Sequence, residues 1–232
     1  MGTRPEGIKL APVIAALRAE PRLETIVVGT GQHREMLAQV VRVFELEVDH
    51  ALAVMQHDQT LASLTARLVP RVDEFLSAEK PDIALVQGDT TTVLSTALVC
   101  FYRKIAIGHV EAGLRTGNLQ SPFPEEANRK LAAPLVTLHF APTETARKNL
   151  LDERIPDGSI LVTGNTVIDA LFMEVARQKA PELQSRIDRE LSELLGADWA
   201  AVPYVLLTGH RRENFGQGFA QICDAIRTLA ER

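Results

Sequence analysis

Apolar residues in this chain gather in short runs at positions 25–29, 83–86, 105–110, 136–140, 160–162 and 202–207. Each run is four to six residues long or shorter, and each closes on glycine or proline at its end or within a few residues. That is the signature of buried strands stopping at turns. Between the runs, apolar positions fall at three- and four-residue spacing, predicting helices over 31–44, 60–78, 90–103, from about 121, 143–151, 167–195 and from 218. Pro181 should break the long one, and Pro12 and Pro70 should bend the helices that contain them. Strand and helix alternate throughout, which argues an α/β fold with a doubly wound parallel sheet of Rossmann-like type.

The first residues, Gly2-Thr3-Arg4-Pro5-Glu6, read as a strand-to-helix turn with Thr3 or Arg4 near the cap and Pro5 in the first helical turn. Such a turn expects a strand to feed it. The segment 47–58 reads as irregular. The division expected is a Rossmann-like domain over 1–165, a charged helical connector over 166–201, and the first βα unit of a second Rossmann-like domain over 202–232. A complete α/β domain takes roughly 100–150 residues, so the second is expected to be only begun.

Composition narrows the partners. The chain of 232 residues is 46% hydrophobic and 24% charged, with net charge −5 and only 5% aromatic residues. Without a basic run or a stacking platform, nucleic acid is not an expected partner. No apolar run reaches the roughly 18–20 residues that span a bilayer, and no apolar signal region opens the chain. Cys100 and Cys223 lie in apolar helical stretches and read as small buried hydrophobes. A cytoplasmic location is expected.

The candidate chemistry sits on strand ends. Asp89 follows the 83–86 run and Glu111 follows the 105–110 run, which places two carboxylates on one edge of a parallel sheet. Glu125 and Glu126 open the next helix. Each acid alone could equally be a helix cap or a first-turn charge complementing the dipole. Three acidic clusters accompanied by Arg115 and Arg129 instead suit an anionic ligand on which a proton is moved. Arg4 and Lys9, at and just past a helix N-terminus, suit a phosphate, or else form a solvated basic face. Gln32 and His33 open another helix, where a ligand contact or a cap is possible. His109, at a strand end, is a candidate pocket-lining residue. His210, followed by Arg211 and Glu213, ends the 202–207 run where a cleft ligand's phosphates would meet it. No Gly-x-Gly-x-x-Gly fingerprint, Gly-x-Ser-x-Gly elbow or metal-spaced histidine pair occurs, so neither a dinucleotide nor a metal cofactor is expected.

Several blocks together resemble a known family: Gly2-Thr3-Arg4-Pro5-Glu6, Gly31-Gln32-His33, Gly88-Asp89-Thr90, the run from His109 to Thr116, Pro124-Glu125-Glu126-Ala127-Asn128-Arg129, Gly164-Asn165-Thr166 and Gly209-His210-Arg211-Arg212-Glu213-Asn214. In order and across nearly the whole chain, they resemble the bacterial non-hydrolysing UDP-N-acetylglucosamine 2-epimerases. The resemblance implies two Rossmann-like domains, arranged as in phosphorylase-type glycosyltransferases, with substrate in the cleft and a homodimeric assembly. It implies interconversion of UDP-N-acetylglucosamine and UDP-N-acetylmannosamine, through UDP elimination to 2-acetamidoglucal and re-addition, without NAD or metal. Positions matching Arg4, Lys9, Asp89, Glu111 and His210 would contact the nucleotide sugar, and Glu125 would serve catalysis. It further implies a strand before Gly2 and a longer second domain, so a truncated and inactive chain is the expectation. A glycosyltransferase of the same architecture, or an inactive nucleotide-sugar-binding remnant, remain alternatives.

Overall fold

The computed structural model describes residues 1–31, 34–56, 58–201, 203, 205–207 and 217–230. Two compact units emerge, Met1–Lys179 and Ala180–Arg232.

In the first unit, α1 (Arg4–Arg18), β1 (Val28–Gly29), α2 (Arg34–Val43), β2 (His50–Ala51) and α3 (Leu61–Glu79) come first. They are followed by β3 (Ile83–Gln87), α4 (Thr91–Arg103), β4 (Ala106–Val110), α5 (Glu125–Ala132), β5 (Leu138–Ala141), α6 (Glu144–Asp152), β6 (Ile160–Val162) and α7 (Thr166–Gln178). Strands β3, β4, β5 and β6 lie side by side in that order and all run parallel, while β1 and β2 form a separate parallel pair.

The helices begin where side chains satisfy the first free N–H groups. Thr60, Thr90 and Thr143 accept from Ser63, Val93 and Ala146 at the starts of α3, α4 and α6. Alternate strand residues then serve opposite faces of the sheet. Val86 and Ile107 join Val72 and Leu76 of α3 with Val93 and Ala97 of α4. Val110 joins Leu10 and Ile14 of α1, with Val27 and Val40, on the other side. Helices cover both faces, which is why the strands read as continuous apolar runs rather than alternating ones.

Several sequence expectations change in detail. The strand expected over 25–29 shortens to Val28–Gly29, and its partner His50–Ala51 falls in the segment expected to be irregular, because pairing comes from tertiary contact. Pro12 and Pro70 lie inside uninterrupted helices. The stretch 166–201 divides: α7 packs on α1 within the first unit, whereas α8 (Pro181–Leu195) belongs to the second. In the second unit, α9 (Gln217–Ala230) matches the helix expected from 218. The strand expected over 202–207 is not seen at Pro203 or at 205–207, where Val205 and Leu206 are exposed. An apolar run becomes a strand only against a neighbour. Cys100 is buried as expected, with burial pushing its thiol up to about 11, but Cys223 is exposed on α9.

Candidate active site

β4 ends at Val110, and Glu111 immediately takes a left-handed backbone with φ of +66°. For a residue with a Cβ this costs on the order of 1–2 kcal/mol and persists only where the surroundings hold it. The holding contacts are on its carboxylate. Lys9 Nζ lies 2.6 Å from both oxygens. Gln87 Nε2 donates to Oε2 at 2.5 Å and Asn165 Nδ2 to Oε1 at 3.2 Å. Lys9 comes from the second turn of α1, Gln87 ends β3, and Asn165 caps α7, its own oxygen accepting from Val167. Three other parts of the chain thus converge on one carboxylate whose side chain is 9% exposed.

The neighbouring strand end carries a second acid. β3 passes through Gly88, whose φ of +81° a side chain would strain, to Asp89 and then to the α4 cap Thr90. Gly88 donates its N–H to Val110 O at 3.1 Å, which seats this turn directly against the end of β4. Arg129 grips Asp89 Oδ2 through Nε at 3.0 Å and Nη2 at 2.5 Å, and Asn128 Nδ2 donates to the Asp89 carbonyl at 2.8 Å. Arg129 Nη1 also donates to Glu126 Oε2 at 3.1 Å, while Gly117 N donates to Glu126 Oε1 at 3.1 Å. Burial works to raise the Glu126 pKa, yet the N–H groups of Thr116 and Gly117 and the Arg129 guanidinium outweigh it and hold the carboxyl below its usual range. An ionised Glu126 therefore aims Arg129 at Asp89.

His109 lies beneath this edge rather than lining it. It is 2% exposed, and its Nε2 donates to the Gly88 carbonyl at 2.6 Å, so it braces the turn that carries Asp89. Burial pushes its pKa down, against the Gly88 contact, and keeps the ring neutral.

Glu6 binds the start of α1 to the start of α4. Its carboxylate is nearly inaccessible and accepts from Gly2 N, Thr3 N and Thr3 Oγ1 on Oε2, at 3.0, 2.7 and 2.8 Å. Thr90 Oγ1 donates to Oε1 at 3.1 Å. Arg4, the first residue of α1, is exposed and has no side-chain partner among the described residues. Glu125, the first residue of α5, is partly exposed and likewise unpartnered among them, in contrast to Glu126 beside it. Arg115 is committed to Glu153, at 2.9 and 2.6 Å, and to the Leu114 carbonyl. Gln32, His33, His210, Arg211 and Glu213 fall outside the described residues.

Three residues that the sequence reading gave no role of their own belong to this constellation, Glu6, Gln87 and Asn165, and Glu126, read there only as part of an acidic cluster, joins them. The Thr3-x-x-Glu6 spacing of a capping box was a legible signal for the first. A glutamine closing an apolar strand was a weaker one for the second. No three His, Cys, Asp or Glu side chains among the described residues are grouped to hold a metal, and no described helix is long and apolar enough to cross a membrane.

Known proteins share this arrangement of sequence. The family model for UDP-N-acetylglucosamine 2-epimerase matches residues 15–232. The chain belongs to that family. A UDP-N-acetylglucosamine 2-epimerase of Salmonella typhimurium is 50% identical over 229 residues, covering 99% of this chain and 60% of the relative. The crystal structure of a putative family member from Listeria monocytogenes superposes with a TM-score of 0.86 at 45% identity, over 100% of this chain and 58% of the other. The Neisseria meningitidis 2-epimerase, solved bound to UDP-GlcNAc, gives 0.78 at 47% identity, over 82% and 52%. The chain therefore spans about three-fifths of the length of the curated family members it matches.

Proposed function

We propose that these residues form the epimerisation site of a non-hydrolysing UDP-N-acetylglucosamine 2-epimerase, interconverting UDP-N-acetylglucosamine and UDP-N-acetylmannosamine. The observation that carries this reading is the strained Glu111, its carboxylate held by Lys9, Gln87 and Asn165, at the strand end next to the one that carries Asp89 in the grip of Arg129. A proton on C2 of the sugar is not acidic by itself. The C1–O bond must stretch first, leaving oxocarbenium character on C1 that nearby carboxylates stabilise. A carboxylate then removes the C2 proton, its C–H electrons form the C1–C2 double bond, and UDP departs with the C1–O electron pair. Re-addition of a UDP oxygen to C1, with a proton delivered to the opposite face of C2, gives the epimer.

Asp89, Glu111 and Glu125, which has no partner among the described residues, supply the acid–base groups in this scheme, Arg4 and Lys9 serve the diphosphate, and by the family resemblance His210 is assigned to it as well. By the family resemblance, Gln32, His33, Arg211 and Glu213 are further candidates for contact with the nucleotide sugar. The enzyme works in the cytoplasm as a homodimer and feeds precursor to surface polysaccharide. Exposed Phe101 and Tyr102 on α4 with Leu131 on the adjoining α5 suit a dimer contact. No redox or metal cofactor enters this scheme.

The test replaces the matching segment of the Salmonella typhimurium relative with these 232 residues and supplies UDP-N-acetylglucosamine in D2O. The expected result is UDP-N-acetylmannosamine with solvent deuterium at C2. A folded chimera that makes epimer without deuterium removes proton transfer from the mechanism. Release of free N-acetylmannosamine and UDP moves the chain to hydrolytic chemistry.

A further inference from the structure

The three carboxylates of the proposed scheme are not equally free to take a proton. A carboxylate offers about four accepting positions, two on each oxygen. On Glu111 they are taken: Lys9 Nζ and Asn165 Nδ2 meet Oε1, and Lys9 Nζ and Gln87 Nε2 meet Oε2. Gln87 is buried at the end of β3, and Asn165 is fixed by its own cap on Val167 N, so both amides are held where they stand. An amide N–H donates to a carboxylate but does not hand over its proton.

Asp89 and Glu125 differ. Arg129 places both Nε and Nη2 on Oδ2 of Asp89, and among the described residues no donor reaches Oδ1. The Asp89 side chain is 26% exposed, against 9% for Glu111. Glu125 has no partner among the described residues on either oxygen. It precedes Asn128 and Arg129, the two α5 residues that reach Asp89, by three and four positions, a spacing that shares one helix face. Asp89 in turn adjoins Glu111, since a Cβ on Gly88 would stand 4.0 Å from Glu111 Oε2.

We propose that Gln87 and Asn165 are positioning residues that fill the accepting positions of Glu111, reserving it to stabilise positive charge at C1 and leaving the C2 proton to Asp89 and Glu125. The inference rests on the epimerase reading of this site and narrows its acid–base set from three carboxylates to two. Inversion at C2 needs one group to take a proton from one face and another to deliver one to the opposite face. Two carboxylates keep an open oxygen for that work. In the elimination, one of them takes the C2 proton, the C–H electrons become the C1–C2 double bond, and the C1–O pair leaves with UDP. Glu111 meanwhile faces the developing oxocarbenium ion in a fixed orientation, because its donors already hold it and need no rearrangement.

The test places these 232 residues in the Salmonella typhimurium chimera and compares UDP-N-acetylglucosamine carrying hydrogen or deuterium at C2. Gln87→Met keeps the side chain's length and removes the donor, while Asn165→Ser keeps a cap on α7 and is too short to reach Glu111. Each should lower kcat about tenfold with KM within about twofold, the pattern of a contact that matters only in the transition state. In both, and in Glu111→Gln, the C2 isotope effect should be no larger than in the parent, because breaking the C1–O bond becomes the slower event. In Asp89→Asn and Glu125→Gln it should exceed the parent's, because proton transfer becomes the slower event. An isotope effect that rises in Glu111→Gln makes Glu111 the base and overturns the proposal. So does unchanged kcat in Gln87→Met and Asn165→Ser at the parent's melting temperature. The two donors stand on separate elements, so if one variant fails to fold, the other and Glu111→Gln still decide. A parent chimera that folds and makes no epimer sinks the epimerase reading and this inference together, whereas the other adverse outcomes leave that reading standing.

Discussion

Lys9 Nζ sits 2.6 Å from both carboxylate oxygens of Glu111, a residue 102 positions further along the chain. The contact links the second turn of α1 to the end of β4, and it is the closest tie between the helix start and the strand-end edge. In the scheme proposed above, Glu111 works on the sugar while Lys9 positions its carboxylate and meets the diphosphate. Exchanging Glu111 for glutamine in the chimeric enzyme should lower turnover 100-fold or more, on the order of 3 kcal/mol in the barrier. Stability should change by only about 1 kcal/mol, because the lost partner, Lys9, still reaches water. Paired measurement of kcat and melting temperature checks this; unchanged kcat with a large drop in melting temperature would make Glu111 a structural clamp.

Glu6 should behave in the opposite way. Four donors end on its buried carboxylate, and removing it orphans Gly2 N, Thr3 N and the hydroxyls of Thr3 and Thr90 together. Each buried unpaired group costs about 1–3 kcal/mol. Glu6→Ala is expected to destabilise by at least about 3 kcal/mol in urea unfolding. A shift below about 1 kcal/mol would show that water replaces the carboxylate at no cost.

Two glycines offer a controlled comparison. Gly113 and Gly117 both have left-handed backbones, with φ of +86° and +78°. A Cβ on Gly113 would stand 2.3 Å from the Ala146 carbonyl oxygen, whereas one on Gly117 meets nothing within 4 Å. Gly117→Ala should therefore cost only the backbone strain, about 1 kcal/mol. Gly113→Ala should cost roughly 3 kcal/mol or more, since α6 must also move. Equal unfolding midpoints for the two variants would contradict the close packing of that turn on α6.

His139 sets a pH dependence of stability. It is buried opposite His109 in the sheet, and burial above all, with the nearby Arg115 cation, pushes its pKa down to about 4 against a contact with the Val136 backbone. Between the unfolded value of about 6.5 and about 4, the unfolded chain binds a proton that the folded chain refuses. Stability is then intact above pH 6.5 and falls as the pH drops toward 4, by on the order of 3 kcal/mol in all. His139→Phe should flatten that part of the curve, which urea midpoints at pH 7 and pH 4.5 would reveal. An unaltered slope would assign the acid sensitivity to other groups.

The sequence by itself determined the periodic skeleton. Local patterning and capping residues such as Thr60, Thr90 and Thr143 act within a few neighbours, so α3, α4 and α6 and strands β3 to β6 were legible, with boundaries shifted by no more than two residues. Asp89 and Glu111 were legible as strand-end acids for the same reason. Tertiary structure alone decided which polar groups meet. Nothing local tells Glu125 from Glu126, yet packing buries the second against Arg129 and leaves the first without a partner among the described residues. Nothing local brings Asn165 to Glu111 or directs Arg115 to Glu153. Nor could patterning find β2, whose two residues are strand only because Val28 and Gly29 lie alongside. A side chain's period is written in its neighbours, whereas its partner is set by how the helices and strands pack.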